Sequence, residues 1–307
     1  VTEAGNPLVA GVELGGTKCV CLLARGPDEV IADARIATTI PTETLSEVEH
    51  VLDSWRADHG FASLGIASFG PLELRPESPY FGHITVTTKP GWSDADVGPR
   101  LIRRYGLPTA FDTDVSGAAL AEGRWGAGRG LASFVYVTVG TGVGAGIIVN
   151  GRPVAGLGHA EAGHMLVARF PGDSWEGACV FHGDCVEGLA SGFAIERRTG
   201  MAGAEIPADH MVWELAAHAL AGLCHNLVMG SVPQRILIGG GVIARQPRII
   251  SMIRRRLVES LAGYGASLAI ASDIDRFVAA PALGDRAGPL GAVALAMNAL
   301  ENACREA

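Results

Sequence analysis

Apolar residues crowd Leu8–Glu13 and Cys19–Ala24 on either side of Gly15-Gly16-Thr17-Lys18, the pattern of two strands joined by a glycine turn. Val30–Ile36 supplies a third strand. From Thr44 to His59 the period lengthens to that of a helix, with Leu45, Val48, Val51, Leu52 and Trp55 at helical spacing. Ser63–Ala67 is again a short apolar strand, ending at Ser68-Phe69-Gly70-Pro71. A Gly/Pro-rich loop through Thr88-Lys89-Pro90-Gly91-Trp92 follows. The spacing then predicts a helix at Leu101–Tyr105, a strand at Thr109–Phe111 running into Asp112-Thr113-Asp114, and an Ala-rich helix over Val115–Gly123. At this point the pattern restarts, with strand Phe134–Val139, turn Gly140-Thr141-Gly142-Val143-Gly144 and strand Ala145–Val149. The two hairpins, GVELGGTKCVCLL and VTVGTGVGAGIIV, are the mark of an internal duplication. Beyond them the pattern predicts a long helix at about Ala208–Ser231 and a strand Arg235–Ile238 closed by Gly239-Gly240-Gly241. A helix over Arg248–Leu261, strands near Leu268 and Phe277, and an apolar helix over Gly288–Ala303 complete the chain. Two α/β halves, each opened by a glycine hairpin, imply a nucleotide in a cleft between them.

Composition narrows this picture. Glycine fills 42 of 307 positions, roughly twice its usual share of about 7 %, as expected where backbone must approach backbone or phosphate. The formal charge of -8 argues against a nucleic-acid surface, and Arg254, Arg255 and Arg256 read as the solvated face of a helix. No apolar run reaches the roughly 18 residues of a membrane span. The start, VTEAGNPLVAG, has neither a basic lead nor a secretory apolar core, and Val1–Pro7 reads as a flexible segment. Cys19, Cys21, Cys224 and Cys304 sit in apolar stretches that suit reduced thiols, so a cytoplasmic protein is expected.

Two sets of residues carry chemistry. Backbone N–H groups of a glycine turn point outward together and hold phosphate oxygens. Gly15, Gly16, Thr17 and Lys18 in one copy and Gly140, Thr141 and Gly142 in the other are therefore the phosphate candidates. Lys18 either contacts a phosphate or covers the hairpin with its stem. Gly239, Gly240 and Gly241 after a buried strand suit an adenosine packed on bare backbone. Neither hairpin is a Walker loop or a G-x-G-x-x-G turn. The second set is His164, Cys179, His182 and Cys185, two imidazoles and two thiolates that suit a closed tetrahedral Zn2+ site. Buried thiols with core imidazoles, or a Cys179–Cys185 disulfide, are the alternatives. Glu161 and Glu187 flank the cluster, so a metal there would fix both carboxylates.

The combination G-V-E-L-G-G-T-K, D-T-D before an Ala helix, V-T-V-G-T-G-V-G-A-G, A-E-A-G-H and C-x2-H-G-D-C-x-E-G resembles the ROK family of sugar kinases, from about residue 8 to the end. Glu13 in the first motif, Ser68-Phe69-Gly70-Pro71 before a T-x-K-P-G-W loop, and His182 as the central metal ligand resemble its fructokinase branch. The resemblance implies an actin-like ATPase (ribonuclease H-like) α/β fold of two domains with a cleft and a small zinc-bearing subregion. The first domain would comprise residues 1–113 with a C-terminal helix at about 288–307. The second would span 114–287 and carry the zinc segment 159–187. It also implies a transfer from ATP to the 6-hydroxyl of a hexose, with Asp114 as general base and Asp112 as the fallback. Gly70, Thr113, Asp114, Glu161, His164 and Glu187 would bind the sugar. Mg2+ would accompany ATP, with Glu13 as a second-shell or water-mediated ligand, and Zn2+ would be structural. Stripping it would damage sugar binding before nucleotide binding. Thr113 stands where many relatives carry Asn, which favours fructose over glucose. Glucokinase, mannokinase or N-acetylhexosamine kinase activity are the alternatives, and a sugar-responsive regulator or sensor is the non-enzyme one. A homodimer is expected, with no nucleic-acid or membrane partner, and His159 is a weak further candidate near the site.

Overall fold

The computed structural model describes residues 7–306; the expectation of a flexible Val1–Pro7 falls, Pro7 apart, outside them. In chain order the first part holds β1 (Val9–Leu14), β2 (Lys18–Ala24), β3 (Val30–Ala37), α1 (Pro41–Asp58), β4 (Leu64–Ser68), α2 (Gly98–Tyr105), β5 (Thr109–Thr113) and α3 (Asp114–Trp125). The middle holds β6 (Phe134–Val139), β7 (Val143–Val149), β8 (Arg152–Pro153), α4 (Val186–Ala190), α5 (Gly192–Thr199) and α6 (Val212–Ser231). Last come β9 (Ile236–Gly239), α7 (Gly241–Arg245), α8 (Arg248–Leu261), α9 (Ser267–Ser272), α10 (Ile274–Phe277), β10 (Val278–Ala279) and α11 (Ala287–Glu306).

The chain divides into two units. One takes the residues up to Arg129 with Pro153–His159 and Asp285 onward, and the other takes Gly130–Arg152 and Ala160–Gly284. The first unit is a sheet of order β3-β2-β1-β4-β5 between two helical layers. Alternation along β1 sends Ala10, Val12 and Leu14 into a core with Leu45, Val48, Leu52 and Trp55 of α1 and with Trp92 and Leu101. The other face meets α11 at very short range. A Cβ on Gly65 would lie 2.0 Å from the Ala292 carbonyl, and one on Gly291 would lie 2.4 Å from the backbone of Gly117 in α3. These glycines let α11 lie directly on β4 and let α3 cross it, which is why bare backbone is needed there. The same packing corrects the domain boundary read from the sequence. Helix α3 belongs with the first unit, so that unit runs to Arg129 and not to residue 113.

The second unit repeats the arrangement, with order β10-β9-β6-β7-β8. In both sheets a central strand, β1 or β6, has an antiparallel hairpin partner on one side and a parallel strand on the other. The duplication seen in the two hairpin sequences is thus a duplication of topology. Val135, Val137 and Val139 pack with Trp213, Ala216, Leu220 and Leu223 of α6 and with Ile249, Ile253 and Leu257 of α8. The strand expected near Leu268 is instead α9, one exposed turn of Ser and Ala-rich chain in which only Ser267 and Ile270 are buried. The arginines of α8 are also more than a solvated face. Arg254 donates to the Val278 carbonyl at 2.9 Å, and Arg256 pairs with Glu214 of α6 at 2.6 Å. Among the described residues no helix is long and apolar enough to cross a membrane.

Candidate active site

In the first unit, Thr113 closes β5 and caps α3, its Oγ1 accepting the Ser116 N–H at 3.1 Å and donating to Ser116 Oγ at 2.9 Å. The N-cap bond is worth about 1 kcal/mol. Asp114 is the first residue of the helix, with Oδ1 accepting the Val115 N–H at 2.9 Å. Asp114 is therefore not the cap residue, and its carboxylate stands in the first turn of α3, at the positive end of the helix. Thr113, expected at the sugar, is buried with its hydroxyl committed to the cap. Asp112 accepts the Thr113 N–H at 2.7 Å, and burial raises its carboxyl above the usual range.

Glu13, at the end of β1, lies against the first turn of α11, where a Cβ on Gly288 would sit 2.0 Å from Oε1. Burial pushes its carboxyl up to about 7; the charge of Asp114 acts the same way and Lys18 opposes it. Gly16, Thr17 and Lys18 are exposed at the hairpin tip. Gly70 forms a cis peptide bond with Pro71, and a Cβ there would meet the His159 ring at 3.3 Å. His159 Nε2 accepts the Leu72 N–H at 2.9 Å, so it anchors the Gly70–Leu72 loop.

In the second unit Val143, at the end of the hairpin turn, touches both Glu187 and Gly163. Its N–H donates to Glu187 Oε2 at 3.0 Å, and its carbonyl leaves no room for a side chain on Gly163, whose Cβ would lie 1.8 Å away. Gly163 belongs to the 3-10 turn Ala162–His164, which begins just after the exposed Glu161. Gly240, with φ +94°, lies on Val139, its Cβ position 2.5 Å from that carbonyl, so Gly239–Gly241 adjoins the Gly140 turn.

His164 Nδ1 is 3.6 Å from Cys179 Sγ, 3.6 Å from Cys185 Sγ and 3.2 Å from His182 Nδ1, and Cys179 Sγ is 3.8 Å from His182 Nδ1. Metal bonds of about 2.0–2.1 Å to nitrogen and 2.3 Å to sulfur give tetrahedral ligand–ligand edges of roughly 3.3–3.8 Å. Four of the six separations thus match such edges, all four donor atoms lie within 4.8 Å of one another and could hold a metal ion, and both cysteines are free thiols and not a disulfide. The surrounding loop is pinned by a Cys179–Gly183 backbone pair and by Asp173, which holds Arg198 in two hydrogen bonds at 2.6 and 2.9 Å.

Residues 9–299 match the ROK family. The chain belongs to the ROK family. A fructokinase of Zymomonas mobilis subsp. mobilis is 42 % identical over 293 residues, covering 94 % of this chain and 96 % of that protein. A fructokinase of Pediococcus pentosaceus is 38 % identical over 296 residues, covering 96 % and 100 %. Among solved structures, a ROK hexokinase from Thermus thermophilus superposes with a TM-score of 0.78 at 26 % identity, covering 96 % of this chain and 99 % of that one. The ROK neighbours and the two mixed sheets agree with the expected actin-like ATPase α/β fold of two domains.

Sequence reasoning about this ROK-family chain missed the groups that hold the turns. Thr38 Oγ1 donates to the Gly15 carbonyl at 2.8 Å, and Lys89 Nζ donates to that of Gly16 at 2.5 Å. The N–H groups of Gly192 and Phe193 reach the carbonyls of Gly140 and Thr141 at 2.7 and 3.4 Å. The only available signal was the T-x-K-P-G-W run, which served as a marker of resemblance and was given no task.

Proposed function

We propose that this chain is an ATP-dependent hexose kinase of the fructokinase type, forming the sugar 6-phosphate with Asp114 as general base. One observation carries the choice of sugar: named fructokinases align at 38 and 42 % identity along nearly the whole of both chains. The reading gives each residue a physical task. Asp114, at the head of α3, takes the proton of the attacking hydroxyl. Glu161 and Glu187 accept sugar hydroxyls in charge-assisted hydrogen bonds, with Gly70 admitting the sugar to backbone contact and His164 bordering it. The Gly15 and Gly140 N–H groups close their own turns on the Lys18 and Gly142 carbonyls, so other N–H groups of the Gly15–Lys18 and Gly140–Gly142 turns take phosphate oxygens, and Gly239–Gly241 takes the adenosine. When bound, Mg2+ neutralises the β- and γ-phosphates; Glu13 would hold one of its waters. His164, Cys179, His182 and Cys185 would hold Zn2+, a closed site that shapes the loop and leaves catalysis to other groups. A homodimer in the cytoplasm completes the reading.

The test is ADP formation with Mg-ATP against fructose, mannose, glucose and N-acetylglucosamine. Fructose is expected to lead, and Asp114→Asn is expected to lose about 10²–10⁴-fold in kcat while keeping its metal. A panel led by glucose would replace the sugar, and an unimpaired Asp114→Asn enzyme would remove the mechanism.

A further inference from the structure

Lys89, of the T-x-K-P-G-W loop, reaches the first hairpin turn. Its Nζ donates to the Gly16 carbonyl at 2.5 Å and lies 3.4 Å from the Thr38 carbonyl. The loop has little freedom to carry it elsewhere. Trp92, fully buried, donates from Nε1 to the Thr39 carbonyl at 2.7 Å and packs edge-on against Phe69 at 5.2 Å. The backbone beside the turn is held in the same way, with the Thr38 N–H on the Thr17 carbonyl at 3.0 Å. Gly16 itself has no such restraint, since a Cβ there would meet nothing within 4 Å. A peptide that follows a glycine in open space, as Gly16–Thr17 does, rotates more easily than one between two side-chain-bearing residues. In a trans peptide the C=O and the next N–H point to opposite sides. A cation that captures the Gly16 carbonyl therefore turns the Thr17 N–H the other way.

We propose that Lys89 is a positioning residue for phosphate binding, holding the Gly16–Thr17 peptide with its N–H directed outward for the nucleotide's phosphates. This rests on the kinase reading and adds a residue to it. Lys89 acts on the turn from behind, through the carbonyl. Its loss therefore weakens ligands that bear phosphates and spares those that do not.

Lys89→Met and Lys89→Arg test it by steady-state kinetics and by calorimetric titration with ADP and with adenosine. In Lys89→Met the KM for Mg-ATP is expected to rise about tenfold, the size of one charge-assisted hydrogen bond, with fructose KM within about twofold. ADP affinity should fall by a similar factor, adenosine affinity should hold, and Lys89→Arg should recover most of the loss. Lys89→Gln, shorter and uncharged, carries the same test if the methionine variant does not fold. Mg-ATP KM unchanged in Lys89→Met would overturn the proposal. So would equal losses for ADP and adenosine, or a rise in fructose KM alone. If the wild type turns over no hexose, the kinase reading falls instead, and the ADP–adenosine comparison still decides the role of Lys89.

Discussion

In the first hairpin the carbonyls of Gly15 and Gly16 are held by side chains, Thr38 Oγ1 and Lys89 Nζ. In the second, the carbonyls of Gly140 and Thr141 are held by main-chain N–H groups of Gly192 and Phe193, at the start of α5. Each device satisfies the turn's acceptors, so that donors remain to face a phosphate. Each bond of the side-chain device can be removed by one substitution. The backbone device depends on where α5 begins, and α5 follows directly from the Cys/His lobe. Cys185 is the N-cap of α4, Glu187 lies in its first turn, the Ser191 N–H bonds the Glu187 carbonyl at 3.1 Å, and Gly192 comes next. The metal cluster is thus seven residues from the group that holds the Gly140 carbonyl.

Metal removal should therefore produce the largest effect and should fall on the second hairpin. The sequence alone suggested that loss of zinc would reach sugar binding before nucleotide binding. The path from Cys185 to Gly192 puts both within reach at once. Dialysis against a strong chelator is expected to lower kcat/KM by about 100-fold or more and to weaken ADP as well as sugar, with recovery on adding Zn2+. Elemental analysis and calorimetry on the same samples check this. Chelated protein that binds ADP normally would break the link between lobe and hairpin.

Glu187 sharpens the comparison at a smaller scale, because its two oxygens have separate tasks. Oε2 accepts the Val143 N–H, while the sugar role proposed for the carboxylate needs its charge. Glu187→Gln keeps an acceptor for Val143 and loses the charge, so sugar KM should rise about 10–100-fold with Mg-ATP KM within about threefold. Glu187→Ala strands the Val143 N–H and should raise both. Identical kinetic profiles for the two variants would show that the bond to Val143 contributes nothing to the turn.

These contrasts also show what was legible in the sequence. Hairpins, helices with a clean apolar period such as α1 and α8, and the Cys/His spacing were readable because each is local: period, turn residues and ligand chemistry lie within a few positions. What escaped depended on contacts between distant segments. Gly65 and Gly291 look like ordinary glycines until α11 returns from the far end of the chain. Lys89 looks like a loop lysine until its loop folds back 73 positions to Gly16. Thr113 shows a local role that the sequence reading left out, since its hydroxyl beside a helix start serves the cap. The α9 segment failed because one apolar turn has too few residues to separate the strand period from the helical one.

The smallest expected difference lies at the residue two before each turn, Glu13 in the first hairpin and Thr138 in the second. A hydroxyl there does not titrate near neutrality, whereas burial lifts the Glu13 carboxyl from 4.5 to about 7. A carboxyl raised on folding favours the native state while it is protonated. Its contribution is fully present below about 4.5 and is lost as pH climbs through about 7. Ligand-free wild type should therefore lose stability relative to Glu13→Gln between pH 5 and pH 8, by on the order of 1–3 kcal/mol. Urea denaturation of both proteins at the two pH values measures it. If the difference between them is the same at both, Glu13 is ionised throughout. The N-terminus of α11, beside which its carboxylate lies, would then outweigh the cost of burial.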